Sequence, residues 1–321
     1  MLLKPLKVTL LCTVLTLGVA GLMLCLPAKS NDAKLFSNSR LQTANLTYEP
    51  IKPILPNTNI NYQIVALGRK LFYERSIGTN GKIACVDCHK LKQGGADKVA
   101  YSLNASGQPL SVNTPTIYNV SLNTSYYWTG RSHSLNQQVD DAIEELQTDW
   151  KTVLEKLYAT PEYLILFSQS YPDGLNITNI KDAIVTFELS LLTPNSRFDK
   201  YLNGQANSIS NAEKKGYELF KSYGCIACHQ GTNVGGNILQ EIDSMPYTPV
   251  IYFKNPSISK IRVPSLRNVS LTSPYLHDGS IKKLDAVVAQ MGQISLGIDI
   301  PKHDIKLIVK FLGTLTGEIT E

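Results

Sequence analysis

Two short segments carry the residues best suited to chemistry, Cys85-Val86-Asp87-Cys88-His89 and Cys225-Ile226-Ala227-Cys228-His229. Two cysteines separated by two residues and followed at once by a histidine form the attachment pattern of haem c. The thiols add to the vinyl groups of the porphyrin, and the adjacent histidine binds the iron from one side. The sequence therefore predicts two covalently bound haem c groups.

Other chemistries use the same residue types. A tetrahedral zinc site can be built from cysteine and histidine. A thioredoxin-type redox pair would need a single such motif on a βαβ pattern, which the sequence lacks. Disulfides are common in exported chains, but they do not explain a histidine after both second cysteines. The repeated histidine favours haem c.

The opposite face of each iron has few candidate ligands. Histidine and methionine together raise the potential of a haem and suit electron transfer, whereas an open position can bind peroxide. One haem of each kind would make a peroxidase supplied with electrons from outside. Beyond the two motifs, the exported part of the chain offers only these histidines and methionines: His133, His277, His303, Met245 and Met291.

Helical periodicity surrounds both motifs. Apolar residues recur at helical spacing before the first motif, in residues 62–73. Further helices are predicted over 135–157, 177–192, 211–223, 281–291 and 302–315. A weak repeat joins Gly68-Arg69-Lys70-Leu71-Phe72 to Gly216-Tyr217-Glu218-Leu219-Phe220, each shortly before a cysteine pair. The pattern predicts a mainly α protein of two similar modules.

The N-terminus predicts export from the cytoplasm. Lys4 and Lys7 precede an uncharged apolar run from Val8 to Leu26, which is typical of a signal sequence. Residues 1–28 are either a cleaved signal peptide or a membrane anchor through residues 8–26, and residues 29–58 form a polar linker. The predicted location is therefore the periplasm, soluble after cleavage or tethered to the inner membrane. The net charge of +5, without a lysine or arginine run, argues against nucleic-acid binding.

Several further segments, in the same order, resemble the bacterial di-haem cytochrome c peroxidase family, which also includes the di-haem oxidase of methylamine utilisation. The resemblance runs from Gly68 to Gly317 and implies two cytochrome c-like haem domains packed face to face. The implied domains are residues 59–205, with the peroxide-reducing haem, and 206–321, with the electron-transfer haem. The matching segments are LGRKLF (67–72), VNTPT (112–116), YWTGR (127–131), LLTPNSRFDKYLNG (191–204), GCIACHQG (224–231), VPSLRNVSLTSPYLHDGS (263–280) and FLGTLTG (311–317).

The resemblance assigns roles to residues around the haems. His89 is implied as the proximal ligand of the peroxide-reducing haem and His229 as that of the electron-transfer haem. Met291 matches the distal methionine of the second haem. The oxidase branch carries a tyrosine there, so Met291 indicates the peroxidase branch. Trp128 matches a tryptophan between the two haems, where an easily oxidised indole can help an electron cross.

The implied peroxide pocket needs a glutamine and a carboxylate. Gln138 matches the family's glutamine. The family's catalytic glutamate should follow ten residues later, where this chain has Thr148. If three residues are deleted before Asp149-Trp150, Glu145 takes that role, as a base and then an acid for the peroxide proton. Glu144, or no glutamate at all, remain alternatives.

The resemblance also implies a calcium ion and shows one departure from the family pattern. Asn113, Thr272 and Pro274 match calcium-site residues, the last two through backbone carbonyls. Many family members carry a distal histidine on the first haem, but this chain has Ala105 there and no histidine between His89 and His133. The first haem is therefore predicted to lack that ligand.

The implied function is reduction of hydrogen peroxide with electrons from a small periplasmic cytochrome c or cupredoxin. The family often forms homodimers, and contact with a membrane is expected only through the N-terminal segment. Two alternatives stay open: a di-haem oxidase that acts on a partner protein, and a di-haem electron carrier without catalytic activity.

Overall fold

The computed structural model describes residues 49–242 and 259–319, and residues 43–321 form one compact unit. The predicted signal or anchor, most of the linker and Met245 lie outside the described residues. In the parts that are described, no helix combines the length and the apolar character needed to cross a bilayer.

Helices dominate the described residues, as the sequence predicted. Short 3₁₀ turns at Thr79–Gly81, Leu91–Gln93, Val120–Leu122, Cys225–Ala227 and Val269–Leu271 connect them. Strands β1 Leu239–Glu241 and β2 Lys260–Arg262 pair antiparallel, with Leu239 opposite Arg262. The α-helices are α1 Tyr62–Phe72, α2 Cys85–Cys88, α3 Leu135–Glu145, α4 Trp150–Tyr158, α5 Pro161–Ser170, α6 Ile177–Ser190, α7 Arg197–Leu202, α8 Asn211–Ser222, α9 Leu284–Met291 and α10 Lys302–Gly313.

The prediction of one helix over residues 135–157 is wrong. The structure has α3 and α4 with a break between them. Gln147 has a φ of 58°, in the left-handed region that ends a helix. The carboxylate of Asp149 then accepts a hydrogen bond from the amide of Thr152 at 2.8 Å and caps α4. The helix predicted from residue 281 begins only at Leu284.

Two helix pairs repeat the same close approach. Helix α1 packs on α6, and α8 packs on α10. A Cβ added to Gly68 would lie 1.8 Å from the carbonyl oxygen of Ala183, and one added to Gly216 would lie 2.0 Å from that of Leu307. Glycine is needed at both crossings because a helix backbone occupies the space of a side chain. The two sequences that carried the weak repeat thus lie in equivalent structural positions.

Alanine at either crossing glycine is expected to lower the free energy of unfolding. Gly68→Ala and Gly216→Ala must push two helices apart, which should cost roughly 2–3 kcal/mol or more. Gly313→Ala is the matched control, because a Cβ there meets nothing within 4 Å. It should be neutral or stabilise the protein by up to about 1 kcal/mol through helix propensity. Urea denaturation of the three variants measures the difference, and equal effects at all three sites would contradict the assignment.

Separate clusters of buried side chains lie around the two helix pairs. One cluster includes Leu71, Val153 and Ile180, and another includes Phe198, Phe220 and Phe311. The helix-rich class is therefore confirmed. The finer division into haem domains 59–205 and 206–321, packed face to face, stays a prediction; these ranges are called the first half and the second half below.

Thr193 connects the two halves. Asn119 and Asn268 begin identical Asn-Val-Ser-Leu segments, and both have a φ of 60°. Their side-chain amides donate to the same hydroxyl, that of Thr193, at 2.8 and 2.9 Å. Both asparagines and Thr193 are fully buried. The equivalent segments therefore meet at a common hydrogen-bond acceptor.

Arg267 is a second buried junction. Its side chain has no exposed area, and its guanidinium lies 2.7 Å from a carboxylate oxygen of Asp199. The same group donates to the carbonyl oxygens of Thr232 and Lys52 at 2.9 and 2.8 Å. One arginine thus holds three chain segments around the second half.

Candidate functional site

Each Cys-x-x-Cys-His segment forms one tight turn. The first lies on α2 and the second on the 3₁₀ turn Cys225–Ala227. In both, the amide of the histidine donates to the carbonyl of the first cysteine, at 2.9 Å for His89 and 3.0 Å for His229. All four cysteines are free thiols. The turn therefore presents two thiols and an imidazole from a few consecutive residues, as attachment of a haem requires.

Burial disfavours the thiolate form of the first cysteine in each motif. Burial raises the pKa of Cys85 to about 12 and that of Cys225 to about 11. Zinc ligation and disulfide exchange both use the thiolate. No cluster of three or more histidine, cysteine, aspartate or glutamate side chains able to hold a metal ion occurs in residues 49–242 and 259–319. The two cysteines and the histidine of each turn fit a porphyrin attached through thioether bonds.

Backbone lies close to both imidazoles, but Nδ1 of His229 has no hydrogen-bond partner in the described residues. The Nδ1 atom of His89 lies 3.2 Å from the carbonyl oxygen of Gly95. At the equivalent place in the second half, a Cβ on Gly235 would lie 3.2 Å from Nδ1 of His229 and 2.5 Å from the carbonyl oxygen of Pro264. Burial lowers the pKa of both imidazoles, that of His229 to about 4. The neutral ring is the form that binds iron.

Met291 lies at the end of α9, in the second half. A π-helical turn, Gly292–Leu296, follows it directly, and the hydroxyl of Ser295 lies 3.8 Å from its sulfur. The side chain is half-buried. Turns of π-helix often mark functional sites in helices. The distal-ligand role of Met291 stays a prediction.

Trp128 lies at the junction of the two halves. Its indole N–H donates to the carbonyl of Asn113 at 2.8 Å, and its ring centroid lies 6.4 Å from that of His277. The backbone exchanges hydrogen bonds here: the amide of Asn113 donates to the carbonyl of His277 at 2.6 Å, and the amide of Arg262 donates to that of Trp128 at 2.7 Å. Segments of both halves therefore hold the loop that carries Trp128.

The structure brings Gln138 and Glu145 to the same loop. The hydroxyl of Tyr127 donates to the carbonyl of Gln138 at 3.3 Å, and Arg131 pairs with Glu145 at 2.8 Å. The side-chain oxygen of Gln138 is buried and has no hydrogen-bond partner in the described part of the chain. A buried acceptor without a protein partner can accept a hydrogen bond from a water or a bound group. Both residues lie on α3, on the side facing the YWTGR loop.

The electrostatics of Glu145 connect it to the first haem motif. Partial burial raises the pKa of this carboxyl, and Arg131 opposes the shift. The charge of Glu145 also contributes to the raised pKa of Cys88, which follows mainly from burial of the thiol. Glu144 and Glu145 are both exposed, and Thr148 carries a buried hydroxyl without a partner among the described residues. Of the two glutamates, Glu145 forms the ion pair with Arg131.

A backbone hydrogen bond joins Asn113 to His277, in the same segment as the other two predicted calcium residues. Asn113 is buried, and its side-chain N–H₂ donates to the carbonyls of Val99 and Ala100 at 2.8 and 3.2 Å. The Oδ1 atom remains for a cation. The backbone bond from Asn113 to His277 brings it to the loop that includes Thr272 and Pro274.

The remaining histidines and Ala105 have different surroundings. Ala105 packs against the buried cluster of the first half. His133 and His303 are exposed, whereas His277 is buried beside Trp128. None of these positions tests the ligation of the first iron.

Sequence reasoning missed Glu188, a fully buried carboxyl near the end of α6. Burial alone raises its pKa to about 8, and its Oε2 atom has no hydrogen-bond partner within the described ranges. Its charge contributes to the raised pKa values of Cys85 and Tyr126. An acidic residue on the apolar face of the predicted helix 177–192 was the available signal.

Glu188 is expected to make the protein less stable as pH rises. Its folded-state pKa of about 8 lies above the ordinary value of 4.5, because the buried carboxyl is more stable in its protonated form. The stability gained from that protonated form is fully present below pH 4.5 and is lost as pH rises through 8. Between pH 5 and pH 8 the loss should be on the order of 3 kcal/mol. Urea denaturation of the wild type and of Glu188→Gln at both pH values measures it. The same pH dependence in both proteins would contradict the assignment.

Known proteins are similar to this chain over most of its length. A family model described as di-haem cytochrome c peroxidase matches residues 62–207. The cytochrome c551 peroxidase of Nitrosomonas europaea is 36% identical over 320 residues, covering 94% of this chain and 92% of that protein. The methylamine utilization protein MauG of Methylorubrum extorquens is 29% identical over 236 residues, covering 70% of this chain and 67% of that protein.

A solved structure shares the fold. A MauG-like protein associated with microbial copper homeostasis superposes with a TM-score of 0.68 at 23% identity, covering 83% of this chain and 93% of that chain. At this identity the likeness shows the fold alone. The similarity in sequence is higher to the peroxidase than to MauG.

Proposed function

The chain belongs to the di-haem cytochrome c peroxidase family, and from this premise we propose that it reduces hydrogen peroxide to water with electrons from a small periplasmic donor protein. Membership implies two haem c groups and the activity of a cytochrome c peroxidase, with hydrogen peroxide as substrate. The overall reaction takes up two electrons and two protons per peroxide and releases two waters. The donor, the residue roles and the location are our proposals.

One observation carries the assignment of roles. The loop that holds Trp128 also contacts Gln138 and Glu145, and Glu145 acts electrostatically on the first haem motif. A carboxylate, an amide with a free acceptor and an oxidisable ring therefore meet on one loop and one helix of the first half, which supports a common role. The second turn has Met291 in its half instead.

The haem groups, when bound, supply iron that exchanges electrons with the donor and accepts the substrate. The protein supplies the proton transfers. Glu145 accepts a proton from the incoming peroxide and returns it to the departing oxygen, acting as base and then as acid. The amide of Gln138 orients the substrate through hydrogen bonds. His89 and His229 would each bind an iron through the imidazole, and Met291 would offer its thioether sulfur to the iron in the second half.

Trp128 is the proposed bridge for electrons between the halves. Its side chain is almost fully buried, and hydrogen bonds from both halves fix its position. A buried indole held from both sides keeps one geometry during repeated turnover. This support is geometric, and the order of electron transfer remains part of the proposal.

Calcium is proposed at Asn113, Thr272 and Pro274. The free Oδ1 atom of Asn113 and two backbone carbonyls offer the oxygen ligands that calcium prefers, with waters completing the shell. Since Asn113 also accepts the indole N–H of Trp128, an ion there would stiffen the bridging residue.

The donor is proposed to be a small cytochrome c or cupredoxin of the periplasm. The export signal in residues 1–28 supports that compartment, either by cleavage or by anchoring through residues 8–26. A homodimer is proposed from the family alone.

Steady-state peroxide turnover with a reduced cytochrome c or cupredoxin tests the function. The mature holoprotein should oxidise the donor only when peroxide is present, with two donor molecules consumed per peroxide. An absence of turnover at every peroxide concentration would leave an electron carrier and reject the peroxidase. Absorption and EPR spectra should report two thioether-linked haems. A low-spin bis-histidine signal from the first haem would refute the inference drawn from Ala105.

A further inference from the structure

Arg131 lies between two carboxylates and an aromatic ring. Its Nη2 atom is 2.8 Å from Glu145, and its Nε atom is 3.4 Å from Asp141. The guanidinium carbon lies 3.6 Å from the centroid of the Tyr127 ring. A planar guanidinium stacked on a ring and bound at its edge has few alternative orientations.

The surroundings of Arg131 are fixed as well. Tyr127 has a φ of 63°, a conformation that a bulky residue adopts only where the structure imposes it. Its hydroxyl is tied to the backbone of α3 at Gln138. The fully buried Ser132 donates to Asp141, the second partner of Arg131. The loop is thus attached to α3 at several points.

We propose that Arg131 is the positioning residue for Glu145, and that Asp141 is the counter-ion that keeps Arg131 in place when Glu145 takes up a proton. This inference rests on the proposed role of Glu145. When Glu145 becomes neutral, its attraction for the guanidinium weakens. Asp141 still pairs with Arg131, so the arginine stays where the regenerated carboxylate needs it.

Three charged or titratable groups act on Glu145 or respond to it. Arg131 favours its ionised form, whereas burial and Asp141 disfavour it. Burial and the charge of Glu145 both raise the pKa of Tyr127. Loss of Arg131 therefore raises the pKa of Glu145 further. Because the ionised carboxylate accepts the proton of peroxide, less of the enzyme is competent at acidic pH.

The test is the pH profile of kcat/KM for peroxide in the holoprotein. Arg131→Gln should move the acid limb to higher pH by about one unit, a loss of roughly tenfold at any pH below the limb. Arg131→Lys keeps the positive charge but not the stacked geometry. It should therefore return the acid limb most of the way to its wild-type pH. Arg197→Gln is the matched control, since Arg197 forms an ion pair with Glu213 at similar exposure far along the chain, and its profile should equal the wild type.

A double-mutant cycle separates this inference from the proposed function. If Arg131 acts through Glu145, Arg131→Gln adds little to Glu145→Gln, and the double variant equals the single Glu145 variant. Additive losses, or an unmoved acid limb in Arg131→Gln, would overturn the positioning role. Wild-type activity in Glu145→Gln would instead reject the role of Glu145 itself. Unchanged haem spectra in each variant show that the losses do not come from lost haem.

Discussion

Glu145→Gln is expected to lower kcat for peroxide by a factor of roughly 10²–10⁴, the usual contribution of a positioned acid–base group. Glutamine preserves the shape of the side chain and its contact with Arg131 but cannot accept the peroxide proton. Haem content and the affinity for the donor should remain as in the wild type. Stopped-flow reduction of peroxide by the fully reduced enzyme measures the step directly.

Glu144→Gln is the matched control for that result. Glu144 precedes Glu145 on the same helix, is exposed like Glu145 and is the other glutamate that the sequence offers. Its substitution should change kcat by less than a factor of about two, since Arg131 pairs with Glu145 and successive side chains on a helix point in different directions. A larger loss in Glu144→Gln than in Glu145→Gln would contradict the assignment. It would show that the deletion relative to the family is not three residues long and that α3 presents Glu144 to the substrate.

Arg267→Ala is expected to lower the free energy of unfolding by roughly 3–5 kcal/mol, since it leaves the buried carboxylate of Asp199 without its partner. The carbonyls of Lys52 and Thr232 lose their donor as well. Urea denaturation of the holoprotein, followed by far-UV circular dichroism, measures the change.

The control for Arg267 is Arg197→Ala. Arg197 also pairs with a carboxylate, Glu213, at 2.6 Å, but half of its side chain is exposed. Solvent screens such a pair, so its loss should cost no more than about 1 kcal/mol. Equal destabilisation by the two substitutions would show that burial does not decide the contribution of these arginines.

The haem attachment turns and the helices around them could be predicted because each depends on local sequence. Two cysteines and a histidine within five residues bring their own geometry, and amphipathic runs such as 62–73 need no distant partner to be recognised. The break at Gln147 was missed because its left-handed φ is rare for glutamine and leaves no composition signal.

Contacts between distant segments could not be predicted from local sequence. The pairing of Arg131 with Glu145 follows from the loop turning back on α3, and the hydroxyl of Thr193 shared by Asn119 and Asn268 depends on how three segments meet. The sequence does contain the duplicated Asn-Val-Ser-Leu segment, which could have placed these asparagines in equivalent positions. The position of Glu188 on the apolar face of a predicted helix indicates burial, but nothing local indicates that its carboxyl oxygen Oε2 has no hydrogen-bond partner in the described residues.

The reciprocal bonds at Trp128 and His277 are made by main-chain atoms alone, because the amides of Asn113 and Arg262 donate to the two carbonyls. These two bonds need only an N–H at each donor residue, which proline lacks. Proline at residue 113 or 262 would therefore remove one of the two backbone bonds, whereas any other residue would keep both N–H groups in place.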